Sequence, residues 1–388
     1  MNSRVLDKPL VLRLIGVIML AHLAFSGVRL TLTLWAVDRG MSPLAVGLLL
    51  SALMIVPMFT SVAMGRWSDR VGFRPPVRLG LWMIFVGGLL AAWVPHLLVL
   101  VTGIVLVGWG MTMTQVAASQ AIAQAAGPEG ITWGFSGLSV GFSSSGFLGP
   151  LMAGMLIDRI GHAPTFLVLC IALPTALLVL RAIDSPLLAP VLRSEPEPGG
   201  DHRGSLLAVG PIRAALITAS LVALSWDLFN FFMPVHAAAL GLSATAIGMI
   251  VAAYSAGSLT VRLVLGRLPA HIRPGRLLTF ALLLTALVYA LTPLATGFVS
   301  LLLLGLVTGL ILGVGQPLAM SLLHQNAPAG RAGEAIGMRS VIVSASQTFL
   351  PAVFGAMGSA LGTGPVFWVV AGLIVLALAV VRPDAGRP

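Results

Sequence analysis

Four ionisable side chains interrupt stretches that are otherwise apolar: Arg29, Asp227, Arg262 and Arg339. In such surroundings a charge is costly unless it faces a cavity or a partner. The one acid, Asp227, has two chemical uses there. It can carry a proton, with an affinity that swings as an arginine approaches and leaves. Alternatively, it can hold an arginine in place for the capture of an anionic group. A fixed structural ion pair is the plainer third use. Partners for Arg262 and Arg339 stay open at this stage, since Glu334 lies more than one helical turn before Arg339. Neutral polar residues share these apolar runs: His22, Gln115, Gln120, Trp226, Asn230, Gln316, His324 and Gln347. Singly, each suits packing. Together they describe a mixed polar and apolar pocket for a small organic molecule.

Other chemistries are excluded by scarcity. One cysteine, Cys170, allows neither a disulfide framework nor a cysteine metal site. The single lysine, Lys8, lacks the preceding glycines of a G-x-x-x-x-G-K phosphate loop. No cofactor or metal site is expected, and no catalytic residues are assigned. Gly134-Phe135-Ser136-Gly137 fits the short G-x-S-G pattern of intramembrane serine proteases, with His22, His162 and His236 as possible bases. Four residues in a run crowded with glycine and serine match by chance, so this stays a distant alternative.

The elements that must position these groups follow from composition. The chain has 388 residues, 58% hydrophobic and 9% charged, against about 45–50% apolar and about 25% charged in soluble domains. Its mean hydropathy is +1.02. Apolar runs long enough to span a bilayer recur throughout, without the alternation of barrel strands, so they are read as helices. Twelve are expected, at about 10–35, 44–64, 77–95, 98–123, 131–156, 164–181, 212–236, 244–266, 277–294, 297–323, 332–358 and 364–382. The first is taken as an uncleaved helix, since no convincing A-x-A site follows it. The Pro-, Gly- and charge-rich stretch SEPEPGGDHRGS marks a linker over 182–211, between a bundle at 1–181 and another at 212–388.

The two sides of the linker match at a constant offset of 201 residues. GMSPLAVG (40–47) aligns with GLSATAIG (241–248), Gly65-Arg66 with Gly266-Arg267, Pro150 and Gly154 with Pro351 and Gly355, and Pro164 and Phe166 with Pro365 and Phe367. This implies two six-helix halves of like orientation, related by an axis along the membrane normal. The plan resembles that of the major facilitator transporters. Of 22 basic residues, three lie in the spans, Arg39 and Arg159 fall on one side, and the remaining seventeen fall on the side of the termini. Both termini are therefore expected in the cytoplasm. The charge of +10 then faces anionic lipid headgroups, not nucleic acid.

GRWSDRVGFRPPVR (65–78), expected as the cytoplasmic turn between helices 2 and 3, resembles the superfamily's signature loop G-x-x-x-D-R-x-G-x-R-R/K. Gly65, Asp69, Arg70, Gly72 and Arg74 match, and Pro75 departs. The resemblance implies that Asp69 faces the positive start of helix 11, near Ala332, as part of a cytoplasmic gate. The second copy, GRLPAHIRPGR (266–276), lacks the aspartate. In helix 5, Gly149, Pro150 and Gly154 resemble the G-P-x-x-G-G element of drug–proton antiporters, with Ala153 in place of a glycine. Those antiporters carry an arginine in helix 4, where this chain has apolar residues near Ile104.

Subtracting the offset, Asp227 corresponds to Ser26, one turn from Arg29. In the family both helices line the central cavity, which implies an Arg29–Asp227 pair across it. The expectation is an all-α membrane protein of this fold. It would move a small organic solute by alternating access, with proton-coupled export ahead of the alternative, uptake of a small metabolite, anionic or neutral. Monomeric operation in a bacterial cytoplasmic membrane is expected.

Overall fold

The computed structural model describes residues 7–93, 96–183, 210–265, 274–326 and 332–380. Twelve helices among them are long and apolar enough to cross a membrane: α1 (Lys8–Asp38), α2 (Pro43–Val71), α3 (Arg74–Ala92), α4 (Leu97–Gly127), α5 (Gly130–Ile160), α6 (His162–Arg181), α7 (Gly210–Ala239), α8 (Ala244–Val264), α9 (Pro274–Leu294), α10 (Phe298–Met320), α11 (Gly337–Leu361) and α12 (Thr363–Val380). The chain is a multi-pass, all-helical membrane protein.

Two boundaries differ from expectation for local reasons. The stretch Gly65–Val71 is not a turn but the end of α2. Arg66 to Val71 are all compatible with helix, so the helix runs on until Gly72, whose φ of 79° reverses the chain. Pro75 then opens α3, where a missing N–H costs nothing. Between α4 and α5 the helical hydrogen-bonding pattern is almost continuous, and the break is concentrated at Gly127 (φ 64°, ψ 177°).

The fold resolves into two compact units. One holds α1 as far as Trp35, α2 from Leu49, α3 to α6, and Ser243–Gly248 at the start of α8. The other holds Ala36–Leu48, α7 as far as Leu242, and the chain from Met249 onward. The first turns of α2 and α8 are thus exchanged relative to chain order.

Within each unit, glycines let helices approach to backbone contact. In the first, a side chain at Gly108 of α4 would collide with the Leu53 carbonyl oxygen of α2. In the second, one at Gly309 of α10 would collide with the Tyr254 carbonyl oxygen of α8. Both members of these pairs differ by 201. Buried hydroxyls bond to carbonyls one turn back, as in Thr31 to Gly27 at 2.9 Å and Thr285 to Ala281 at 2.8 Å. Polar atoms that could not reach water are satisfied inside their own helix.

Candidate functional site

In the second unit, the site is built around Asp227. It sits on α7, 1% exposed, between apolar neighbours. The Ser346 hydroxyl of α11 donates to its Oδ2 at 2.5 Å. Immediately after it the helix widens into a π-turn, Leu228–Phe232. Pro234 supplies the reason: lacking an N–H, it cannot bond the Asn230 carbonyl, and the local register slips. Asn230 lies in this widened turn. Its Nδ2 donates back to the Trp226 carbonyl at 2.9 Å, and its side chain also bonds Tyr254 of α8. Tyr254 stacks on Phe229 with centroids 4.6 Å apart. Below Asp227, the buried Tyr289 hydroxyl of α9 donates to the Ser225 carbonyl at 2.5 Å. Asp227, Asn230 and Trp226, singled out in the sequence, therefore belong to one polar cluster on α7. Ser346, Tyr254 and Tyr289 complete it.

In the first unit, His22, Ser26 and Arg29 share one half-buried face of α1. His22 Nδ1 lies 2.7 Å from the Ser145 hydroxyl of α5, and its ring packs edge-on against Phe142 at 4.9 Å. Ser26 donates to the carbonyls of Leu23 and Ser145, each at 3.2 Å. Arg29 is close enough to His22 to interact with it electrostatically. Gly149 of α5 presses against Ser26, Leu23 and Gly27, leaving no room for a side chain. Gln115 on α4 and Gln316 on α10 are exposed and differ by the same 201 residues. The pairing of His22 with Ser145, and of His236 with Thr363 at 2.9 Å, commits neither ring to Ser136 as a protease base.

Asp69 is on the last turns of α2, not on a loop. With Ser68, Gln120, Gln124 and Gly72 it lines a small pocket between α2 and α4. Arg74 at the start of α3 donates to the Ile183 carbonyl. Of the expected second copy of this segment, 266–276, residues 266–273 lie outside the described residues, as do the side chains of His324 and Glu334.

The model of the Major Facilitator Superfamily matches residues 14–214 and 215–388, nearly the whole chain in two successive halves. The chain belongs to this superfamily. A comparison with curated proteins finds no match. Solved structures share the fold at low identity. A POT peptide transporter has a TM-score of 0.78 at 13% identity, covering 96% of this chain and 93% of its own. A D-xylose-proton symporter has 0.76 at 15%, covering 98% of each. A bacterial homologue of the human lysosomal transporter Spinster has 0.72 at 16%, covering 96% of each.

Set on this superfamily fold, the helix 5 element has a clear packing role. Gly149 contacts α1, while Pro150 and Gly154 contact the first turns of α8, with Gly248 against the Pro150 carbonyl. Ile104, near the expected place of the antiporters' arginine, is fully buried. The serines that complete both clusters, Ser145 and Ser346, were hidden in Ser-rich runs. The 201-residue offset between them is the signal that marks them as a pair.

Proposed function

We propose that this protein is a secondary active transporter that moves a small organic solute by alternating access, coupled to protons and directed outward across a bacterial cytoplasmic membrane. Asp227 is the proton carrier, and Arg29 is the cation whose approach releases the proton. Trp226, Asn230, His22, Gln115 and Gln316 contribute to the solute pocket. Both termini lie in the cytoplasm, Asp69 and the Gly65–Arg74 segment form the cytoplasmic gate, and the transporter works as a monomer.

The observation that carries this reading is a buried carboxylate on α7 beside a widened helical turn, with the Ser346 hydroxyl donating to it. A hydroxyl can donate to the ionised acid and accept from the protonated one. Ser346 therefore supports both states of Asp227, as a reversible carrier requires. The Gly149-Pro150-Gly154 element supports export. A second reading, proton-coupled uptake of an anionic metabolite, is favoured by Arg29, Arg262 and Arg339, which lie within the apolar spans as Asp227 does.

Everted vesicles carrying an acid-interior gradient and a proton-gradient dye test the proposal. A cargo solute collapses the gradient in wild type and has no effect with Asp227→Asn. Intact coupling in Asp227→Asn would remove the acid from the mechanism. A response seen only in right-side-out vesicles would favour uptake.

A further inference from the structure

A second carboxylate sits at the far end of α5. Asp158 reaches the first turn of α8, and both belong to the first unit. Its Oδ1 accepts the Ala244 N–H at 3.2 Å and its Oδ2 the Thr245 N–H at 2.8 Å. The Thr245 and Ser243 hydroxyls also bond to it. Ser243 meanwhile caps its own helix through the Ala246 N–H at 3.2 Å. These N–H groups begin a 22-residue helix, have no partners within it, and carry its positive end. Beneath the carboxylate, Gly154 abuts the Ala244 carbonyl and Gly248 the Pro150 carbonyl. The start of α8 is thus pressed against α5 and clipped there by a charge.

The repeat supplies an internal control. At the junction of α11 with the start of α2, inside the second unit, Gly355 abuts the Pro43 carbonyl and Gly47 the Pro351 carbonyl. Every one of these residues is offset by 201 from its counterpart. Asp158 is replaced there by Ser359, whose hydroxyl accepts the Leu44 N–H at 3.0 Å. The glycine packing is repeated at both junctions, and of the aligned pair Asp158 and Ser359 only Asp158 can titrate.

We propose that Asp158 is a proton-releasable latch that fastens the start of α8 to the end of α5, and that Ser359 is its uncharged, pH-insensitive counterpart. Protonation removes the charge that faces the helix end and turns one acceptor oxygen into a donor, which the N–H groups repel. The charged and titratable groups nearby leave this carboxylate in control. Arg159 is its exposed neighbour on α5, His162 opens α6, and α8 carries no charged residue before Arg262. Release frees the start of α8 from α5, and that is the use the transport reading gives it. The latch is tested without any substrate, so its failure is separate from failure of that reading.

Spin labels at Ile160 and Ala246, both in the first unit, with Cys170→Ala as background, report the α5–α8 junction by pulsed electron resonance. Labels at Ala45 and Leu361, both in the second unit, report the α2–α11 junction. With Asp158→Asn the long-distance population of the first pair rises about tenfold, the change expected from losing a charge-assisted hydrogen bond. Asp158→Glu stays like wild type. Acid produces the same rise in wild type and no further rise in Asp158→Asn. An unchanged distribution in Asp158→Asn, or an acid response that persists in it, would overturn the latch. If Asp158→Asn does not fold, Ser359→Asp decides: an acid response newly gained by the second pair supports the proposal, and none refutes it.

Discussion

The α1–α5 seam and the α7–α11 seam are the same contact made twice. Ser26 and Asp227 differ by 201 positions, and so do Ser145 and Ser346. In the first seam Ser26 donates to backbone carbonyls, while the Ser145 hydroxyl meets His22. In the second the Ser346 hydroxyl is turned onto the Asp227 carboxylate. One seam is a neutral lock between helices. The other has an acid built into the same place, and Pro234 has loosened the helix beside it. The α5–α8 and α11–α2 junctions differ in the reverse sense: Asp158 in the first unit stands where Ser359 stands in the second. A duplicated scaffold has kept its crossings and placed its carboxylates at non-equivalent positions, Asp158 in one unit and Asp227 in the other. The lesson is that packing contacts, set by small residues and backbone approach, persist under duplication. A single side chain can change the chemistry without disturbing them.

The largest effect should come from erasing the difference between the seams. Asp227→Ser, which makes the second seam resemble the first, should reduce proton-coupled flux to background in vesicles while the protein still folds. Next come the shared crossings. Gly309→Leu and Gly108→Leu each force a side chain into a backbone carbonyl, and each should cost about 3 kcal/mol. Because Cys170 is the single cysteine and is buried, a maleimide dye that fluoresces on thiol exposure can follow the lowered Tm. A large difference between the two glycine variants would break the symmetry of the comparison.

Smaller effects sharpen it. Ser346→Ala removes a hydrogen bond to a charged group, about 1.5–3 kcal/mol. It should move the pH profile of transport toward alkaline pH, because the ionised acid loses a donor and binds its proton more tightly. Ser145→Ala removes only neutral bonds, about 0.5–1.5 kcal/mol. It should lower Tm slightly and leave the pH profile in place. A pH shift in Ser145→Ala as large as that in Ser346→Ala would show that the first seam also takes part in coupling.

Much of the fold was legible because hydropathy is a local property. Twelve apolar runs and the 201-residue offset were visible in composition and spacing, and the solved relatives share that fold. The signature segment was recognised, but its end was misplaced. The six residues Arg66–Val71 read as a turn in sequence although each suits a helix, and only the positive φ of Gly72 shows where the helix stops. The candidate site was half legible. Asp227, Asn230 and Trp226 stand out in the sequence as polar groups in apolar runs. Ser346 and Asp158 did not, since a serine among serines and an acid near a helix end are ordinary in sequence.

The amino-acid sequence by itself determined the number of spans, the doubling of the bundle and the rarity of acids within it. Each follows from how apolar surface and charge partition between lipid and water, residue by residue. Tertiary structure alone decided which polar groups meet. Helix rotation, the slip introduced at Pro234 and the glycine crossings bring Ser346 to Asp227 and the start of α8 to Asp158. Those contacts join residues about a hundred positions apart, and no periodicity along one helix encodes them.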